Sequence, residues 1–199
     1  MAINISVEIN FGGGIGVKTY GKSNILEISR GSQSQADNIL PIYGVLPQYA
    51  NISFKDASRD FKAYAENDNL RTDLPITIKI DNKIKGVFLS EEWSYADNKK
   101  VINVKLKDSL ANWHKIRLSS KKLTKGGNGY TIYSELTAFT PTETFVLETG
   151  VQTWLTSINI KYVYFEASSL YDRWEKLCQI AQLTVHKLEN GHIMIRRVK

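Results

Sequence analysis

LPITIKIDNKIKGVFLSEEWSYADNKKVINVKLKDSLANW, residues 74–113, decides the fold. Ile76, Ile78 and Ile80 alternate with Thr77 and Lys79, a period of two that places the isoleucines on one face of a strand. Asp81-Asn82-Lys83 follows, and Asp and Asn tolerate the left-handed conformation that a reversal needs. Gly86 to Trp93 reads as the return strand, and Tyr95-Ala96-Asp97-Asn98 as the next turn. Ile102, Val104 and Leu106 then alternate with Asn103, Lys105 and Lys107. Asp108 fits the cap of a short helical turn that points Leu110 and Trp113 the same way. The stretch is an antiparallel meander, half buried and half wet.

Outward from the meander the same alternation recurs. Ala2 to Glu8 reads as a strand through Ile3, Ile5 and Val7, and Asn24 to Ser29 and Ala50 to Phe54 as two more. Between them, residues 30–49 are polar and then carry Pro41 and Pro47, which argue against a central strand or a helix interior. Asp56-Ala57-Ser58 opens a short helix through Phe61, Tyr64 and Ala65. Phe145 to Leu147 and Val151 to Leu155 are short apolar runs, and Lys161 to Glu166 is β-branched and aromatic, hence a strand. The clearest helix follows. Ser168 or Ser169 caps it, Asp172 sits in its first turn, and Leu170, Trp174, Leu177 and Ala181 share one face. Leu183 to His186 leaves as a strand, Asn190-Gly191 turns it, and Ile193 and Ile195 return. The fold class is mainly β with a few short helices: antiparallel meander or barrel domains with one amphipathic helix near the C-terminus.

Composition sets outer bounds. With 42% hydrophobic and 23% charged residues among 199, the chain has a globular balance and enough length to bury a core. No apolar run approaches the ~20 residues that span a bilayer, and no basic segment followed by an apolar one opens the chain. A single cysteine, Cys178, excludes an internal disulfide and fits a reducing compartment. The formal net charge of +6 permits an acidic partner without requiring one.

Recognisable catalytic patterns are absent from the sequence. The glycines after Phe11 match neither GxGxxG nor GxxxxGK[ST], and no helix-forming sequence follows them, so they read as a bulged loop. His114, His186, His192 and Cys178 lack the tight spacing of a zinc site, so no metal or cofactor is expected. Cys178 looks like a small core residue, and Glu91 and Glu92, as strand neighbours, point to opposite faces. Lys115, Arg117, Lys121, Lys122 and Lys125 form the one basic cluster, running into Gly126 to Gly129, with Tyr130 and Tyr133 after it. This pattern is the basis of an alternative reading, a nucleic-acid-binding β-barrel module, although Tyr130 and Tyr133 fit core packing at least as well.

The order of elements resembles the N-terminal part of tail-tip and baseplate hub proteins of bacteriophages and of related contractile injection systems. The likeness rests on residues 50–113 and 168–195: the Gly86-Val-Phe-Leu strand, the strand that ends Lys107-Asp108-Ser109-Leu110, and the helix Trp174-Glu-Lys-Leu-Cys-Gln-Ile-Ala. It implies paired β-barrels that trimerise into a ring joining a tail tube to a spike or fibre. It also implies a virion tail component, assembled in the host cytoplasm, whose partners are itself and other tail or baseplate proteins, with no membrane and no enzymatic role. On this reading residues 1–116 are a β-barrel-like hub domain. Residues 117–199 are an insertion followed by the helix-plus-hairpin start of a second barrel-like domain. Residues 115–162 have no placed counterpart. The ending on Arg196-Arg197-Val198-Lys199, read as an exposed strand, is expected either for a piece of a longer hub or for a minimal member whose edge a partner covers. Candidate interaction residues are therefore Lys115, Arg117, Lys121, Lys122, Lys125, Arg196 and Arg197, with Tyr43, Tyr49 and Trp154 as aromatic candidates. A cell-wall hydrolase, a third reading, has no supporting motif.

Overall fold

The computed structural model describes residues 3–32, 43–123, 127–160 and 163–198. Contacts gather the chain into two compact units, Met1–Ser32 with Gln48–Ser109, and Gln33–Pro47 with Leu110–Lys199. Most elements are strands joined in antiparallel pairs, with a few short helices, as the alternation indicates.

The first unit contains β1 (Ile5–Asn10), β2 (Val17–Gly21) and β3 (Ile25–Ser32). After β4 (Gly44–Leu46), which belongs to the second unit, it resumes with β5 (Gln48–Lys55), α1 (Asp60–Glu66), β6 (Pro75–Ile80), β7 (Lys83–Ala96) and β8 (Val101–Lys107). These seven strands form one antiparallel sheet in the order β2-β1-β6-β7-β8-β5-β3. β2 and β3 lie at opposite edges of that order yet are joined by three residues, tightened by Asn24 N–H donating to the Gly21 carbonyl. In a flat sheet with strands about 4.8 Å apart, seven strands would hold the edges about 29 Å apart, whereas this link spans about 14 Å at most. The sheet must therefore roll up. Side chains close the seam: the Tyr20 ring of β2 lies 5.3 Å from Phe54 of β5, and Arg30 of β3 donates to the Lys85 carbonyl of β7 at 2.9 Å. Val7, Ile9, Ile52, Phe54, Ile76, Phe88, Ile102, Val104 and Leu106 fill the interior.

The turns follow their chemistry. Asp81 and Asn82 both take positive φ (48° and 63°), so β6 and β7 join through a two-residue hairpin whose twist matches the strands. Gly86 faces Phe88, and a Cβ there would stand 2.3 Å from the Phe88 ring. Gly86→Ala is expected to cost about 1–3 kcal/mol by forcing that ring out of its well-packed site, read as a lower urea midpoint for the first unit. The Asp56 carboxylate, buried, accepts the Phe61 and Lys62 amides at 3.1 Å each and so satisfies the first turn of α1. The residue at the cap itself, Arg59, is left-handed and its side chain gives no capping hydrogen bond.

Two expectations shift by a few residues. The first strand begins at Ile5, and Ile3 is 58% exposed. The turn after β7 falls at residues 97–100, with Lys100 left-handed.

The second unit runs from a 3-10 helix (Ser109–Lys115, of which Ser109 groups with the first unit) through β9 (Arg117–Leu118), β10 (Lys121–Leu123), β11 (Gly127–Asn128) and α2 (Gly129–Thr137). It continues with β12 (Phe145–Leu147), α3 (Val151–Ser157), β13 (Asn159–Ile160), β14 (Val163–Phe165), β15 (Ser168–Ser169), α4 (Leu170–Ala181), β16 (Leu183–Lys187) and β17 (Ile193–Arg197). With three residues per turn, the 3-10 helix brings Leu110 and Trp113 to one face, and both are buried. The main sheet has the order β12-β17-β16-β4, and its two outer pairings are parallel. α4 covers it with Leu170, Trp174, Leu177, Cys178 and Ala181, all buried. Trp174 stacks at 5.4 Å on Trp113 and at 5.8 Å on Phe145. Residues 115–162 supply Leu118, Ile132, Leu136, Val151 and Leu155 to this same core.

The short apolar run Val151 to Leu155 is a helix; the buried Val151 and Leu155 stand four residues apart, on one helical face. β4, between the prolines in sequence, is an edge strand and not a central one, in keeping with what the prolines argue. Arg196 and Arg197, which end β17, are exposed and among the described residues pair with β16 alone. From Ile193 to Ile195 the strand lies between β16 and β12, so the part preceding Arg196 is paired on both sides. The hairpin before it turns through Leu188 to Gly191, with Gly191 at φ 88° and its N–H donating to the Leu188 carbonyl. Pro41, Lys125, Lys161, Tyr162 and Lys199 lie outside the described residues.

Candidate interaction surfaces

Ser169 builds the N-terminus of α4. Its hydroxyl accepts the Asp172 amide, while the Asp172 carboxylate accepts the Ser169 N–H at 2.9 Å and its O–H at 2.6 Å. The Ser169 hydroxyl holds the Asp172 carboxyl below the usual range, assisted by the Ser169 amide and by the charges of His114 and Arg117. A depressed folded-state pKa stabilises above the ordinary carboxylate value, and that contribution disappears as pH falls through the depressed one. Ser169→Ala is therefore expected to cost about 1 kcal/mol at neutral pH. The urea-midpoint gap to the parent chain should narrow on acidification, as Asp172 protonates in both.

Among the described residues, the predicted basic residues fall at the two ends of α4. Lys115 and Arg117 are exposed, with Arg117 paired to Ser169 at the start of α4. Lys121 and Lys122 pair by backbone with Phe165 and Tyr164. Arg197 pairs with Leu183 and Arg196 with Thr184, just beyond the end of α4. Twelve helical residues, about 18 Å, separate the two ends. The Arg197 guanidinium is already committed, 3.5 Å over the Trp154 ring, whose indole N–H donates to the Ala181 carbonyl at 2.8 Å. Tyr130 and Tyr133 are on α2 and pack against the core, Tyr133 lying edge-on to Trp174 at 6.0 Å.

Reactive groups are likewise accounted for. Burial pushes the Cys178 thiol far up, with the Glu175 charge adding to it, which keeps it protonated. Burial and then Arg196 push His186 down. Glu91 and Glu92 reach different lysines, Lys107 at 3.5 Å and Lys105 at 2.6 Å. Among the described residues no three His, Cys, Asp or Glu side chains are grouped to hold a metal. Tyr43, Tyr49 and Trp154 are half-buried.

The rolled sheet offers backbone and apolar surface. Among the described residues β2 and β3 each pair on one side only, and Val17 and Leu26 beside the seam are 59% and 55% exposed. The residue-by-residue sequence reading missed this edge, because pairing partners are set by the order of strands in the sheet.

This architecture recurs in solved structures. The 43 kDa tail protein of prophage MuSo2 from Shewanella oneidensis superposes with a TM-score of 0.63 at 11% identity, covering 100% of this chain and 56% of that one. A tail protein from Neisseria meningitidis MC58 gives 0.63 at 10% identity, covering 98% and 50%.

The fold is that of solved phage tail proteins.

A chain of the half-lidded Francisella PdpA-VgrG complex shares it too, with a TM-score of 0.58 at 14% identity, over 98% of this chain and 31% of that one. The resemblance to the tail-tip and baseplate family thus holds at the level of architecture. The chain spans about half the length of the two tail proteins it matches. No family model matches the sequence, and no curated protein matches it.

Proposed function

We propose that this protein is a structural component of a phage tail tip or baseplate hub, working through protein–protein contacts between tail tube and spike or fibre and not through catalysis. The observation that carries the proposal is the tail-protein fold, matched over the whole chain by a prophage tail protein. A rolled sheet with two singly paired edge strands suits assembly, since such edges are what partners cover. The proposed partners are two further copies of this chain, forming a trimeric ring, and other tail or baseplate proteins. The proposed location is the virion tail, assembled in the host cytoplasm. Division into a hub domain over residues 1–116 and a second part over 117–199 belongs to the same proposal. So do contacts through Lys115, Arg117, Lys121, Lys122, Lys125, Arg196 and Arg197.

Light scattering across a concentration series tests it. The expected mass at high concentration is three times the 22.6 kDa of one chain; a monomer throughout opposes the ring. Nucleic acid binding through the Lys115 to Lys125 cluster is the alternative, and the packing of Tyr130 and Tyr133 against the core does not favour it. A duplex titration at 50 and 200 mM salt is expected to give no binding at either concentration. Tight binding that falls steeply with salt would reverse that preference.

A further inference from the structure

The glycine-rich turn between β1 and β2 matches no nucleotide motif, yet it forms one wall of a hollow. Gly12 to Gly14, with Asn69 and Arg71, enclose a cavity of about 190 Å³. Phe11 N–H donates to the Gly16 carbonyl, Gly16 N–H to the Gly12 carbonyl, and Gly12 N–H to the Asn10 side chain. The amides of Gly13, Gly14 and Ile15 have no acceptor among the described residues. Arg71 is fixed from behind, because its carbonyl accepts the Ser90 hydroxyl at 2.8 Å and the Trp93 indole N–H at 3.1 Å. Its guanidinium lies over the turn, Nη2 standing 3.4 Å from where a Cβ on Gly12 would be. It makes no ion pair or hydrogen bond among the described residues. On the other side of Arg71 is a second hollow of about 360 Å³, walled by Leu70, Trp93, Tyr95 and Ile102.

We propose that Arg71 and the Gly12–Gly14 turn form a docking site for a partner polypeptide segment in which an acidic side chain adjoins a large apolar one. Successive free amides and a guanidinium make an anion cradle. The neighbouring hollow is mixed, with the apolar and aromatic walls of Leu70, Trp93, Tyr95 and Ile102 beside the charged Asp68 and Arg71, and those apolar walls suit a side chain next along a peptide. Asp68 lines both hollows and opposes an anion there, so removing its charge should tighten binding. That the occupant is a polypeptide rests on the assembly reading above.

The test is an amide and arginine side-chain NMR titration of the whole chain with acetyl-Glu-Phe-amide, acetyl-Gln-Phe-amide and inorganic phosphate. Saturable shifts at Gly13, Gly14 and Arg71 are expected with the Glu peptide. Affinity should be weaker by about tenfold for the Gln peptide and for Arg71→Gln, a loss typical of a charge-assisted contact. It should be severalfold tighter for Asp68→Asn. Arg71 is exposed, so unchanged signals from β6 to β8 will show that the variant folds. No saturable shift, equal response to the Gln peptide, or phosphate saturating the same signals as tightly as the Glu peptide overturns the proposal. A trimer that ignores the peptide sinks this site alone, and a monomer that binds it sinks only the ring.

Discussion

Trp174→Ala is expected to destabilise the second unit by about 3–5 kcal/mol, the usual cost of emptying a buried tryptophan site. Trp174 is fully buried on α4, between Trp113, Phe145 and Tyr133, and no small shift of one neighbour refills its volume. Its indole N–H, like that of Trp113, has no acceptor among the described residues, so Trp174→Phe should lose roughly half as much or less. Hydrogen exchange reads both. Protection should fall across α4, β16 and β17 while β5 to β8 keep theirs, because the two cores are separate clusters. A loss below about 1 kcal/mol for Trp174→Ala would mean that the ring is not a core element.

Phe61→Ala should be comparably costly for the first unit, about 3–5 kcal/mol. Phe61 projects from α1 into the rolled sheet and meets Tyr20 at 4.8 Å, Phe54 at 5.2 Å, Tyr64 at 6.1 Å and Trp93 at 6.2 Å. It thus joins the wall strands to the residue that closes the seam. Tyr20 supplies an independent readout. Burial, then the charges and hydrogen bond of its neighbours, raise its phenol well above the ordinary value. A raised folded-state pKa keeps the neutral form, so this contribution is intact below pH ~10 and is lost as pH climbs toward the folded value. Opening the packing at Phe61 should bring Tyr20 ionisation down toward the ordinary range in an ultraviolet titration. Unchanged tyrosine titration would contradict the seam closure.

The meander was legible because its signals agree. The alternating isoleucines, the left-handed pair Asp81-Asn82 and the Asn103–Lys107 alternation all specify the same pairing, and α4 carried both its cap and its face in sequence. Elements that depend on distant partners were not legible. β4 is three residues between prolines and becomes a strand only because β16 lies beside it. The pairing of β17 with β12 was not legible either, since β12 comes some fifty residues earlier and parallel pairing leaves no turn signal. The candidate surface suffered most. Arg71 and the glycine turn, nearly sixty residues apart, meet across strands whose order no local pattern states.

The central claim is assembly by surface, and imaging tests it most directly. Class averages of the purified chain by negative-stain electron microscopy, at the highest concentration it tolerates, should show closed rings of three copies. Single unassociated particles, or rings of another symmetry, would contradict the account.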